Sequence, residues 1–320
     1  MSATLDMAPP EVPVGDGAPV AEAAQEMRAS MGAVELSFTW LGTQRKLADS
    51  QTRQAADAFH ADARNLRASK VLIDTKHPAY KAATAVRSQA RAFLRGISLP
   101  YPQEGVRLIK FDDIERFEEQ MQSFRNRLND AVTTLQDHYE AIKADARERL
   151  GELYNAADYP TSLEGVFGLS WEYPSIEPPQ YLLNYNPALY RQQQARVQER
   201  FEQAVILAEN AFGERLQELI DHLLERLRGV DSGDTKRFSN STVENFAEFA
   251  DEFRKMNVRG NTQLEALINR AQSIVAGVDS KAVKANGDLR QTLSTQMGEV
   301  REALDTVLAN QPRRRVMRLD

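Results

Sequence analysis

The chain contains no cysteine. It can therefore form no disulfide, offer no thiolate nucleophile and build no zinc–thiolate or iron–sulfur centre. Histidine is nearly as scarce: His60, His77, His138 and His222 are the whole set. None has another three or four residues away, and H-E-x-x-H does not occur. His60 near Asp57 and Asp62, and His222 beside Asp221, lie in charged helical stretches and read as surface or interfacial side chains. The sequence also lacks an EF-hand loop, G-x-x-x-x-G-K-[ST], G-x-G-x-x-G and G-x-S-x-G, which leaves phosphate cradles and nucleophile elbows without a basis. The acidic pair Asp112–Asp113 stands where a helix N-cap is needed. From these gaps we expect no catalytic residue, no cofactor and no metal, and hence a non-enzymatic protein.

Positive charge is not in excess. Forty basic residues face 46 acidic ones, for a net charge of −6, so any contact with nucleic acid has to be local. Nowhere do eighteen apolar residues follow one another, and the N-terminal stretch has no basic region leading into an apolar run. The expectation is a soluble, cytoplasmic protein with no membrane contact.

What remains is a chain of 320 residues, 42% of them hydrophobic, enough for a sizeable core. Most of it carries helical periodicity. Residues 1–30, with Pro9, Pro10, Pro13 and Pro19 among Ala, Gly and acids, read as a disordered Pro/Ala-rich tail. A thin Ala-rich stripe of Leu47, Ala55, Phe59, Ala63 and Leu66 predicts a helix from Thr43 to about Arg67. Tyr80, Ala83, Val86, Ala90, Phe93, Leu94 and Ile97 line a second helix. From Asp112 to Tyr154 an uninterrupted stripe, Phe117, Met121, Phe124, Leu128, Val132, Leu135, Tyr139, Ile142 and Ala146 among it, steps by three or four. Asp112 and Glu115 suit a capping box at its start. The mean spacing, about 3.5, is that of a coiled-coil seam, and such a helix would be roughly 60 Å long. A second long helix is predicted from about Pro187 to Arg228, as the antiparallel partner of the first. Three shorter helices follow, the middle one capped by Thr262 and Glu265.

Three stretches alternate with a period of two instead. In VELSFTW, Val34, Leu36, Phe38 and Trp40 share a face; VRLIKF reads as a short strand; in VFGLSWEYP, Phe167, Leu169, Trp171 and Tyr173 alternate with Gly168, Ser170 and Glu172. A continuous helix over 112–154 would carry the chain too far for VFGLSWEY to return to VRLIKF. Pairing with Val34–Trp40 is the freer choice. The expected fold is mainly α: an elongated helical bundle with long antiparallel coiled-coil-like helices and a small strand-containing cap. Its expected divisions are the tail 1–30, a cap with a helical hairpin over 31–232, C-terminal helices over 233–310 and a basic tail over 311–320.

Residues 154–190 concentrate aromatics and prolines. Tyr159, Trp171, Tyr173, Tyr181 and Tyr185 are the candidate partner surface, because Tyr and Trp offer large contact area with little entropy to lose. A local core that holds a long connection in shape is the alternative for the same residues. At the other end Arg313, Arg314, Arg315 and Arg318 are candidate polyanion contacts, acting by counterion release. No aromatic residue interleaves them for base stacking.

VELSFTWLGTQRKL, SLPYPQEGVRLI, RERLGELYNAADYP, FGLSWEYPSIEPP and SNSTVENFAEFADEF with MNVRG resemble an uncharacterised helical family encoded by tailed phages, conjugative plasmids and other mobile elements. That family is known only as a domain of unknown function. The likeness spans roughly residues 33 to 308, and Ala146–Pro160 is its most specific part. Its genes often lie near those of a MoxR-type AAA+ ATPase and a von Willebrand factor A-domain protein. The resemblance implies no site residues. The gene neighbourhood suggests such a partner, and the expected role is that of a structural or adaptor protein, self-association included; the alternative is a nucleic-acid-associated factor in mobile-element replication or recombination that contacts DNA through the basic C-terminus.

Overall fold

The computed structural model describes residues 17–229, 240–256, 261–278 and 280–309. The tail expected before residue 17 and the basic tail 311–320 lie outside the described residues. In chain order the elements are α1 (Gly17–Ser30), β1 (Met31–Thr39), β2 (Gln44–Lys46), α2 (Asp49–Ala58), β3 (Ser69–Val71), α3 (Pro78–Ile97), β4 (Ser98–Pro100), β5 (Val106–Lys110), α4 (Ile114–Asp137) and α5 (Tyr139–Leu150). There follow β6 (Gly168–Glu172), α6 (Tyr181–Tyr185), α7 (Pro187–Gly229), α8 (Asn240–Met256), α9 (Thr262–Val275), α10 (Ser280–Ala285) and α11 (Gly287–Ala309). The fold is mainly helical with a small sheet.

Two compact units divide the chain. One comprises Ala33–Ser98 and Gly105–Pro174; the other takes the described residues up to Gly32, Leu99–Glu104 and those from Ser175 onward. The expected boundary at 232/233 is therefore misplaced, because α7 groups with the C-terminal helices.

A four-stranded sheet has the order β4-β5-β1-β6; β5, β6 and most of β1 belong to the first unit. VFGLSWEY thus pairs with Val34–Trp40: β6 runs antiparallel to β1, with Ser37 opposite Ser170 and Leu36 opposite Trp171. The alternation predicted for both strands puts Leu36, Phe38, Leu169 and Trp171 on one face, since neighbouring strand residues point oppositely. That face packs with Val86, Ala90 and Leu94 of α3 and Phe117, Met121, Phe124 and Leu128 of α4 in one core. Each large side chain fully buried there contributes roughly 1.5–3 kcal/mol. A second cluster joins Tyr139, Ile142 and Ala146 of α5 to Leu72, Ile73, Tyr159, Leu163 and Phe167. β2 and β3 form a separate antiparallel pair.

Two predicted helices are shorter than their periodicity implies. The one expected over 43–67 is reduced to α2, because β2 precedes it and His60 turns to φ 52° just after it. The one expected over 112–154 breaks at His138, between α4 and α5. Just before the break Thr133 and Thr134 donate their hydroxyls to the carbonyls of Asn129 and Asp130, a back-bonding that bends helices. Gln136 Oε1 also accepts from the Leu163 amide at 2.7 Å. The Asp112–Glu115 capping box does not form: Asp113 is the N-cap of α4 and makes no side-chain cap bond. At α9 the cap is Asn261, one residue before the expected Thr262, and accepts from Leu264 N at 3.0 Å.

In the second unit α7 packs against α1 and α11 and, less extensively, α8, while α9 bridges α8 and α11. Arg301 Nε donates to Asp221 Oδ1 at 2.8 Å, and a Cβ at Gly213 would fall 2.5 Å from Leu308 Cδ2. Glycine there lets α11 close onto α7. The expected α4–α7 partnership gives way to partners within each unit: α3 for α4, and α1 and α11 for α7. The tail reading is overturned over 17–30. α1 is a helix that buries Ala23, Ala24 and Met27, because small side chains let it lie close on α7.

Candidate interaction surface

The five aromatic candidates fall into three environments. Tyr159 is core, 7% exposed. Its hydroxyl donates to Leu72 O at 3.1 Å and its ring stacks on Tyr154 with centroids 5.3 Å apart. Burial raises its phenol pKa. As a docking residue it is corrected; the short turn at Ala156–Asp158 directs its ring inward.

Trp171 on β6 is half-buried, and Tyr173, just after that strand, is exposed. Trp171 Nε1 donates to Glu118 Oε1 at 2.7 Å, and the Tyr173 hydroxyl donates to the same oxygen at 2.6 Å. Both rings make T-shaped contacts with Phe117, and the Arg125 guanidinium lies 5.0 Å over the indole. Burial, and then the bond to Glu118, raise the Tyr173 phenol above its ordinary value. Polar atoms on this pair are already used within the unit.

Tyr181 and Tyr185 differ. They sit on α6 in the other unit, 68% and 90% exposed, with Leu183 between them at 50%. Pro178 and Pro179 restrict the entry to this turn, and the Leu182 amide donates to Pro179 O. At its exit Asn186 Oδ1 accepts from Leu189 N at 3.1 Å and caps α7, with Pro187 at the first helical position. Upstream, Glu177 accepts from Arg28 Nε and Nη2 at 2.7 and 2.5 Å. That bond raises the Arg28 pKa. A rigid turn thus presents three apolar side chains to solvent. Arg313, Arg314, Arg315 and Arg318 lie outside the described residues.

Two further groups of charged side chains read as structural or isolated. Lys70 Nζ lies 2.6 Å from Asp158 Oδ2 and donates to Leu153 O at 2.6 Å, while Arg45 Nε is 3.1 Å from Asp158 Oδ1. The buried Lys70–Asp158 pair, with Arg45 exposed at its edge, staples the β2–β3 pair to the turn before Tyr159. Glu209 on α7 is buried, its Oε1 has no hydrogen-bond partner among the described residues, and burial pushes its carboxyl up to about 7. Among the described residues no three His, Asp or Glu side chains are grouped to hold a metal ion, and no helix is long and apolar enough to cross a membrane. An open groove along α7 is lined by Arg215, Glu218, Asp221 and His222, two of which are tied to neighbouring helices by ion pairs.

Comparison with known protein families, curated proteins and solved structures returns no match. The likeness to the mobile-element family rests on the stretches quoted above.

Sequence reasoning did not find Glu118 or the arginines that cover the aromatic faces. Glu118 carries no local signal, because its two donors come from residues more than fifty positions away.

Proposed function

We propose that the chain is a non-enzymatic structural or adaptor protein that docks a protein partner on α6. One observation carries the reading: Tyr181, Leu183 and Tyr185 stand in solvent on a turn braced at both ends. Exposed Tyr on a rigid frame loses little entropy on binding, and aromatic anchors of this kind dominate interface energetics. The resemblance to the mobile-element family makes a MoxR-type AAA+ ATPase or a von Willebrand factor A-domain protein the partner to test first.

The test is affinity capture from the native host with wild-type protein and with the triple variant Tyr181→Ser, Leu183→Ser, Tyr185→Ser. The wild type should retain an ATPase or A-domain protein, and the variant should lose it at unchanged melting temperature. Equal retention by both proteins would remove α6 as the docking face.

A further inference from the structure

α3 carries Lys81, Arg87, Arg91 and Arg95 and no acidic residue. Arg87, Arg91 and Arg95 recur at every fourth position, so they stand in one row, about 6 Å apart along the axis. Like charges at this spacing repel, and helices ordinarily relieve them with carboxylates four residues away. In the second unit several arginines are answered by carboxylates, most of them from other helices: Arg215 pairs with Glu252, Arg270 with Glu299, and Arg301 with Asp221 and with Asp305 four residues on. On α3 none of the four cations has an ion-pair partner among the described residues.

Two of the row are held in place by rings. The Arg87 guanidinium lies 4.2 Å over Trp40 and that of Arg91 4.9 Å over Phe38. Stacking orients a planar fork whose N–H edges suit phosphate oxygens. Positive charge continues on both flanks. Arg127 of α4 donates to Gln89 Oε1 at 2.6 Å, and Arg107 of β5, whose partners are the two oxygens of Ser98, adjoins the end of α3. Burial and the nearby Arg95 charge lower the Arg107 pKa to about 10.

The outward residues between these cations are Ala82, Ala85, Ser88, Gln89 and Ala92, all exposed. They include no large apolar anchor of the kind a protein hot spot needs. Phe38 and Trp40 already carry guanidiniums on their faces, which leaves no free ring for a base. We propose that the α3 row binds the phosphate backbone of nucleic acid, by charge and without reading sequence. This face is distinct from α6 and does not depend on the docking reading.

The experiment measures binding of the full chain to a labelled single strand, to a duplex and to polyglutamate of matched charge, across salt. A backbone contact through three or four cations on a single strand predicts a slope of log K against log salt of about −2 to −3. Arg91→Gln with Arg95→Gln should flatten that slope by about 1.4, whereas Arg313→Ala, Arg314→Ala, Arg315→Ala should leave that contribution in place. A second variant, Lys81→Gln with Arg95→Gln, touches neither stacked guanidinium and should flatten it by a similar amount with an unchanged melting curve. The proposal is overturned by any of three results: no salt-dependent binding at about 50 mM salt, where such contacts are strong; unaltered slopes in both α3 variants; or polyglutamate bound as tightly as nucleic acid, which would make the face an acidic-protein site.

Discussion

The indole of Trp171 and the carboxylate of Glu118 tie β6 to α4, with Nε1 donating to Oε1 at 2.7 Å. Trp171 is half-buried, and Ser170 and Glu172 on either side of it are exposed. Trp171→Ala should therefore cost about 2–4 kcal/mol, below the value for a fully buried ring, and Glu172→Ala should stay within about 0.5 kcal/mol. Trp171→Phe keeps an aromatic ring and loses the hydrogen bond with part of the ring volume, so its cost should fall between the two, above the roughly 1 kcal/mol of the bond alone. Urea unfolding of the three variants checks the order, and a stable Trp171→Ala protein would show that the ring adds little to the core.

Glu209 should make the protein less stable as pH rises. Its folded carboxyl titrates at about 7, against an unfolded value of about 4.3. Between those values the folded state binds more protons, so stability is greatest at the acidic end and falls as pH climbs through about 7. Glu209→Gln removes the titration and should raise stability at pH 8 by about 1–3 kcal/mol. Melting temperatures of both proteins at pH 5 and pH 8 should converge at the lower value and separate at the higher. Parallel pH profiles would mean that Glu209 is solvated.

Asp158 is the acid on which two cations converge. Asp158→Asn leaves Lys70 buried without its counter-charge, which should cost about 3–5 kcal/mol. Lys70→Met combined with Asp158→Leu removes both charges and should recover most of that loss. A double-mutant cycle by chemical denaturation measures the coupling, and purely additive effects would refute it.

Removing residues 1–30 should destabilise the second unit. α1 buries Ala23, Ala24 and Met27, and Arg28 holds Glu177 through two bonds. The apolar part alone predicts a loss of about 3 kcal/mol. Removing residues 1–16 is the control; a truncation at 30 that melts with the full chain would return α1 to the status of a tail.

Tyr185→Ser, by contrast, should change stability by less than about 0.5 kcal/mol, because the side chain is 90% exposed. Calorimetry on that variant separates a surface role from a core role before any partner is known.

Local periodicity was enough to place α3, α7, α9 and the stripe through Phe117, Met121, Phe124 and Leu128, because a period of 3.6 is written into neighbouring residues and needs no partner to be read. Alternation likewise exposed β1 and β6; they do pair, although the reach argument that favoured this assumed a continuous helix over 112–154, which breaks at His138. The candidate site was half legible: composition marked residues 154–190 as aromatic, but Tyr159 and Tyr185 look alike in sequence and are 7% and 90% exposed in the fold. Tertiary structure alone decided which ring is buried, where the helix breaks at His138, that α1 is ordered and that α7 takes α1 and α11 as partners. Each of these depends on residues far apart in the chain, whose burial and hydrogen bonds outweigh local propensity by several kcal/mol once they meet.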